Sequence, residues 1–143
     1  MATLSVNYYN TSTLSKQNIK SELQSHLNII TATILKCKDL SNMMPLQTNG
    51  NLADATNVDT LECNTTTPYS LDGGKGSFIP QSLKDFTTYK ATQTANEFYF
   101  YTTTPLNSYN DDVLVELNST YSTNQYNLSD DGVDRTMKFY ISR

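Results

Sequence analysis

The sequence is poor in the residues that most often carry enzyme chemistry. It has one histidine, two cysteines and no tryptophan, and charged residues make up 17% of the chain, below the usual quarter. A structural zinc site takes four ligands, mostly cysteine and histidine, and this set at these spacings does not supply them. No G-x-S-x-G motif presents a serine nucleophile either. We therefore do not expect an enzyme.

Long apolar runs and basic surfaces are also missing. The longest apolar candidate, residues 27–35, is interrupted by three polar residues and falls short of the roughly 20 apolar residues that span a bilayer. A net charge of −4 offers no broad electrostatic surface for nucleic acid or anionic membrane. Residues 71–76, LDGGKG, lack the strand and helix that flank a phosphate-binding loop, so we interpret them as a turn.

What the sequence does contain is a long stretch without glycine or proline. Over residues 3–40 it predicts one helix, whose apolar stripe is Ile19, Leu23, Leu27, Ile30 and Ile34. Such a helix would be roughly 50 Å long, more than the width of a domain of this size, so one end should project. The stripe is thin before Ile19, and we expect the N-terminal half to be the projecting part.

The single histidine lies on this helix. His26 stands between Leu23 and Leu27, and about 16 Å of helix separates it from Cys37, which is too far for a thiol dyad. We expect an ordinary, half-exposed helix histidine.

The rest of the chain predicts a sheet within the same single domain. Residues 41–76 are interpreted as a connecting loop, and residues 77–143 as sheet with a C-terminal loop. The strand candidates are a weak segment at 77–83, then 86–91, 96–103, 112–121 and 136–142, with Asp111 and Asp112 in the turn before the fourth. The fold class is α+β, with the long helix packed on a three- to four-stranded antiparallel sheet.

Alternation gives these strands an inner and an outer face. Phe98 and Phe100 alternate with Tyr99 and Tyr101, which predicts an apolar face on the helix and a tyrosine face outward. The same logic sets one apolar face in each of two later strands: Val113, Val115 and Leu117, and Met137, Phe139 and Ile141.

The two cysteines can close the connecting loop. A disulfide between Cys37 and Cys63 would constrain about 25 residues, worth on the order of 3 to 4 kcal/mol in the chain-entropy model, and would imply an oxidising compartment. Two reduced thiols in a cytosolic protein are the open alternative, although an even cysteine count in a chain rich in threonine and asparagine favours the bridge.

An acidic loop near the C-terminal end is the one candidate metal site. Calcium takes six to eight oxygen ligands, and residues 127–134, NLSDDGVD, supply several without matching an EF-hand. The candidate ligands are Asn127, Ser129, Asp130, Asp131 and Asp134. An ordinary solvated turn is the favoured alternative, so no cofactor is firmly expected and calcium stays a hypothesis.

The N-terminal segment carries a family resemblance. TLSVNYYNTSTLSKQNIKSELQSHLNIITATILKC resembles the C-terminal half of the long first helix of type IV pilins and type II secretion pseudopilins, with Asn7, Tyr8 and Glu22 in comparable places. The rest of the chain is similar by layout alone. The apolar half-helix, the cleavage motif and the methylated first residue of that family are absent, and we expect Met1 and Ala2 to be an added start before a longer native chain.

The resemblance implies a non-catalytic filament subunit, extracellular or periplasmic, and anchored in the membrane before assembly. Its implied partners are copies of itself, other pilin-like subunits and, through the missing segment, an inner-membrane assembly machinery. Major pseudopilins carry calcium in a loop placed similarly to residues 127–134. The residues implied to pack against neighbouring subunits are Leu4, Val6, Tyr8, Tyr9 and Leu14.

Two other function classes stay open. The alternative is an extracellular adhesin-like or tip module that recognises a surface ligand through residues 46–70 with Tyr99, Tyr101 and Tyr109. DNA recognition is its sub-case, and it requires five basic residues to gather in one patch: Lys84, Lys90, Arg135, Lys138 and Arg143. A small secreted enzyme has the least support, because no set of residues suggests one.

Overall fold

Capping residues fix both ends of the long helix. The structure is a computed structural model that describes residues 15–142, and in it helix α1 spans Lys16–Ser41. The Ser15 hydroxyl caps the start by accepting a 3.1 Å hydrogen bond from the N–H of Asn18. Asn42 ends the helix in the left-handed conformation, at φ 60°, and its N–H donates to Lys38 O.

The helix agrees with the prediction where the two can be compared. It ends one residue beyond the predicted boundary at residue 40, while residues 3–14 of the predicted helix, with the projecting half, lie outside the described residues. Its 26 residues give a length of about 40 Å. No helix within residues 15–142 is long and apolar enough to cross a membrane.

The predicted stripe is the face that α1 packs into the core. All five of its members are buried, which confirms the prediction: Ile19, Leu23, Leu27, Ile30 and Ile34. They belong to one apolar cluster with the inner faces of the sheet strands. Spacings of three and four keep these side chains in one line, so a single helix face covers the sheet.

Short strands and one further helix follow α1. They are β1 Thr56–Asn57, β2 Glu62–Cys63, β3 Tyr69–Ser70, β4 Lys90–Gln93, β5 Phe98–Pro105, α2 Tyr109–Leu117, β6 Tyr126–Asp130 and β7 Asp134–Ser142. Five strands form an antiparallel sheet in the order β1-β4-β5-β7-β6. The α+β class is therefore confirmed, with five strands where three or four were predicted.

The two central strands have the predicted faces. Phe98 and Phe100 on β5 are buried, as are Met137 and Phe139 on β7, while Tyr99 and its alternating neighbours lie on the opposite face. The rings of Phe100 and Phe139 meet across the strand pair with centroids 5.6 Å apart. Period-two alternation placed these residues correctly because, within residues 15–142, the helices pack on one face of the sheet only.

The predicted strand at residues 112–121 is wrong. Residues 112–117 belong to helix α2 and residues 118–121 form a turn. In the helix, Val113, Leu114 and Leu117 are buried and Val115 is exposed, which is a helical spacing. Asp111 and Asp112, predicted to lie in a turn, are in the first turn of this helix, where carboxylates favour the positive end of the helix dipole.

Three other strand and loop assignments are corrected. Residues 77–83 form no strand, and the strand predicted at 86–91 begins only at Lys90. Most of the predicted loop at 127–134 is strand: β6 ends at Asp130 and β7 begins at Asp134. Pro80 limits strand pairing in residues 77–83 because proline has no backbone N–H to donate. The polar edge strand β6 within residues 127–134 was missed because an edge strand can be largely polar.

The connecting loop over residues 41–76 has its own short elements. It contains the hairpin of β2 and β3, the edge strand β1, one single-turn 3₁₀ helix, Val58–Thr60, and a tight turn at residues 74–76 in which Lys75 has a left-handed conformation, at φ 51°. These short pairings satisfy backbone groups that a structureless buried loop would leave without partners.

Candidate functional site

A disulfide links the end of α1 to the connecting segment. Cys37 in the last turns of the helix is bonded to Cys63 in β2, with Cα atoms 5.5 Å apart, which confirms the predicted bridge. Both cysteines are fully buried. The bond holds the β2–β3 hairpin against the helix, and it is compatible with an extracellular or periplasmic location.

His26 is buried, so the prediction of a half-exposed histidine is wrong. The buried side chain has a hydrogen-bond partner: Nδ1 lies 2.8 Å from the hydroxyl of Tyr89, a residue 63 positions away in the sequence. The two rings meet edge-on with centroids 5.8 Å apart. Glu22 lies one turn earlier, with its Oε2 3.9 Å from His26 Nε2.

This environment favours a neutral imidazole. Burial lowers the pKa of His26 below its usual value, and the nearby charge of Glu22 opposes that effect without reversing it. Burial also raises the pKa of the Tyr89 hydroxyl well above its ordinary range. Both groups are therefore uncharged at neutral pH, and their hydrogen bond helps to hold the helix on the segment that precedes β4.

The five predicted calcium ligands are divided between two strands and a tight turn. The Oδ1 of Asp131 accepts hydrogen bonds from the N–H groups of Val133 and Asp134, which holds the pKa of Asp131 below its usual value. Asp130 Oδ1 accepts from the N–H of Gly132, and its other oxygen lies 3.8 Å from the Arg135 guanidinium. These contacts explain the turn without a metal ion.

No group of three or more histidine, cysteine, aspartate or glutamate residues within the described range is arranged to hold a metal. Calcium binding at Asn127, Ser129, Asp130, Asp131 and Asp134 stays a prediction, which a calcium titration of the folded domain would test.

An ion pair joins α2 to β7. Arg135 Nε donates a 2.7 Å hydrogen bond to Asp111 Oδ1, and the N–H of Asn107 donates to Asp111 Oδ2 at 2.8 Å. Burial pushes the pKa of Asp111 upward, but these hydrogen bonds and the charge of Arg135 outweigh it and lower the pKa. Arg135 is thus committed to a structural contact on the helix side of the sheet.

Of the basic residues required for a DNA patch, two lie on the outer face of the sheet and one on its helix side. Lys90 on β4 and Lys138 on β7 are the strand neighbours of Tyr101 on β5, and all three lie on the outer face of the sheet. Arg135 is paired with Asp111, and the backbone carbonyl of Lys84 receives a hydrogen bond from the α2 residue Asn110. Arg143 lies outside the described residues.

Tyrosines gather on the outer face of the sheet. The ring centroid of Tyr99 is 6.0 Å from that of Tyr101 and 5.0 Å from that of Tyr140. Lys138 Nζ is 4.9 Å from the centre of the Tyr99 ring. Tyr109 does not belong to this group, because it lies on α2 beside Lys16 of α1.

A cleft of about 440 Å³ opens between the connecting segment and the residues that precede β4. Its lining includes the carboxylates of Asp59 and Asp72 and the largely buried Ile79, Phe86 and Tyr89, together with several polar residues. No pattern in the sequence predicted this cleft. Its carboxylates stand in separate turns, and the only local signal was the glycine-rich turn that follows Asp72.

The five residues predicted to pack in a filament, Leu4, Val6, Tyr8, Tyr9 and Leu14, lie outside the described residues.

Comparison with known proteins found no matching family model, no matching curated protein and no matching solved structure.

Proposed function

We propose that this chain is the outward-facing domain of a subunit of an extracellular filament, of the type IV pilus or type II secretion pseudopilus kind, and has no catalytic role. The observation that carries the proposal is α1, a long helix with one face packed against an antiparallel sheet. That layout is the one implied by the resemblance of the N-terminal segment.

The packing of α1 supports this function. Its buried face is filled by its own domain, while Leu35 and Leu40 remain exposed on the helix. Exposed apolar side chains on a helix favour contact with another surface. In the proposed filament, the residues before Ser15 pack against neighbouring subunits, and an apolar half-helix upstream anchors each subunit in the membrane before assembly.

The disulfide fits the same proposal. The segment that leads from helix to sheet is cross-linked to the helix by Cys37 and Cys63 and tied to the sheet by β1. A filament outside the cell benefits from a covalent link that does not depend on metal or partner. The sheet and its loops would then form the surface that faces the medium.

The reading frame upstream of Thr3 in the source genome provides the test. We expect a short basic leader, a glycine before the cleavage point and roughly 20 apolar residues joined in frame to TLSVNYYN. Antibodies against the folded domain should then label surface filaments in electron micrographs. A stop codon or unrelated sequence directly before Met1 would refute the filament function.

A second candidate function, an adhesin-like or tip module, is favoured by the outer face of the sheet. Tyr99, Tyr101 and Tyr140 lie together there with Lys90 and Lys138 beside them. Tyrosine offers a large apolar face with a polar end, as binding surfaces commonly do.

This second function is tested by saturable binding of the purified domain to a target surface. The double substitution Tyr99→Ala and Tyr101→Ala should abolish binding, whereas Tyr109→Ala on α2 should not. DNA as the ligand would show a strong dependence of affinity on salt. Equal binding by both variants would eliminate the tyrosine face as the contact surface.

A further inference from the structure

The cleft of about 440 Å³ is formed by chain segments far apart in the sequence. Asp59 comes from the 3₁₀ turn Val58–Thr60, Asp72 from the turn after β3, and the remaining wall from residues 79–89. Its volume falls within the range of about 300–1,000 Å³ typical of small-molecule sites. The wall is buried at Ile79, Phe86 and Tyr89, so the apolar surface is fixed by the core behind it.

The charge of the lining has one sign. Two exposed acidic residues, Asp59 and Asp72, are among the residues that line the cleft, and its lining in the described range contains no lysine, arginine or histidine. Asp72 uses Oδ1 to accept a 3.0 Å hydrogen bond from the N–H of Ile79, which fixes the orientation of its carboxylate. Within residues 15–142, the Asp59 carboxylate has no hydrogen-bond or ion-pair partner.

These features select the class of ligand. A hard metal ion such as calcium binds several carboxylate oxygens at close range, and no group of acidic residues arranged in this way occurs in the described residues. An ammonium or guanidinium group needs fewer acceptors and brings an aliphatic stem that can lie on apolar surface.

We propose that this cleft binds an organic cation, a primary ammonium or guanidinium group on a short aliphatic stem. The cationic head lies between Asp59 and Asp72, and the stem lies against Ile79 and Phe86. Such a group has two sources, a free diamine or a lysine or arginine side chain of a second copy of this chain. The proposal does not depend on the filament function.

Titration of the ¹⁵N-labelled domain with putrescine at low salt tests the proposal. We expect saturable shifts of the amide signals of Phe86 and Thr88, which line the cleft, and no comparable shifts with butanediol, which has the same stem without charge. Asp59→Asn should weaken putrescine binding about tenfold or more, as loss of a charged hydrogen-bond partner does. Asp39→Asn, which removes the same charge from the exposed side of α1, should leave it unchanged.

Asp72→Asn provides a second variant, since its amide oxygen can still accept from the N–H of Ile79 while the charge is lost. It should weaken binding as Asp59→Asn does, and the amide spectrum itself shows that each variant is folded. Equal shifts with putrescine and butanediol, or equal affinity of the Asp59→Asn and Asp39→Asn variants, would overturn the proposal.

Sedimentation of the same variants separates the two sources. If a side chain of a second copy occupies the cleft, the domain self-associates, and putrescine or Asp59→Asn reduces that association. If the ligand is a free cation, putrescine binds saturably while the sedimentation coefficient stays constant. Absence of both saturable binding and charge-dependent self-association would also overturn the proposal.

Discussion

The hydrogen bond between His26 and Tyr89 gives the sharpest test of the packing between helix and sheet. Tyr89→Phe removes the hydroxyl and keeps the ring, which packs edge-on against both His26 and Phe100. Nδ1 of His26, a residue only 7% exposed, then loses the partner it has at 2.8 Å. A buried polar atom left without a partner costs about 1 to 3 kcal/mol.

That loss is measurable because a domain of this kind is held by about 5 to 15 kcal/mol. Urea unfolding followed by circular dichroism should show the midpoint lowered by roughly 1 M, with an unchanged slope. Tyr109→Phe, at an exposed tyrosine, is the control and should change the free energy of unfolding by less than about 0.5 kcal/mol.

Substitution of both partners completes the test. In the double variant His26→Leu and Tyr89→Phe no polar atom remains unpaired, so it should be no less stable than Tyr89→Phe alone. If Tyr89→Phe is as stable as the Tyr109→Phe control, the hydrogen bond does not contribute to stability and the reasoning fails.

Three further predictions concern acid, the disulfide and the ion pair. Burial lowers the folded-state pKa of His26 below the unfolded value of about 6.5, so its contribution to stability is complete above that pH. Stability should fall below that pH, by at most about 1.4 kcal/mol per pH unit, until the folded pKa is reached. His26→Leu should remove this contribution to the slope in denaturation curves between pH 7 and 5. Replacing both Cys37 and Cys63 by serine should lower the free energy of unfolding by about 3.5 kcal/mol, given a sequence separation of 26, and a loss below 1 kcal/mol would contradict the chain-entropy account. Asp111→Ala should cost about 2 kcal/mol in urea unfolding, less than for a fully buried pair because Arg135 retains contact with water, and an unchanged midpoint would argue against the pair.

The helix and the central strands were predictable from local pattern. The helix stripe from Ile19 to Ile34 and the inner-face residues around Phe100 pack into one apolar layer. The spacing of apolar residues in the sequence therefore coincides with the spacing of buried residues in the structure. The disulfide followed from cysteine number and composition alone. None of these inferences required knowledge of a distant contact.

Helix α2 shows where local pattern misleads. Val113 and Val115 are β-branched and alternate with other residues, which favours a strand when only period two is considered. The decisive signal was the cap: Ser108 accepts a hydrogen bond from the N–H of Asp111, and two carboxylates follow in the first turn. A count of both periods together with the cap would have found the helix.

Contacts between distant residues account for the remaining errors. His26 is buried because Tyr89 supplies a partner, and nothing within the helix indicates that tyrosine. The cleft depends on the turns of Asp59 and Asp72 meeting the segment 79–89, and the spacing of these three segments in the sequence carries no periodic signal. Such sites arise from tertiary structure, and sequence patterns that report one element at a time do not reveal them.

The position of β7 has a consequence for how the protein is made. This strand follows β5 and β6 in the chain but lies between them in the sheet. While a ribosome has reached only residue 133, β6 has no strand to pair with, and the edge of β5 that later pairs with β7 is still open. The nascent chain therefore cannot complete its sheet until the last described strand has emerged, so the central pairing of the fold forms at the end of synthesis of this domain.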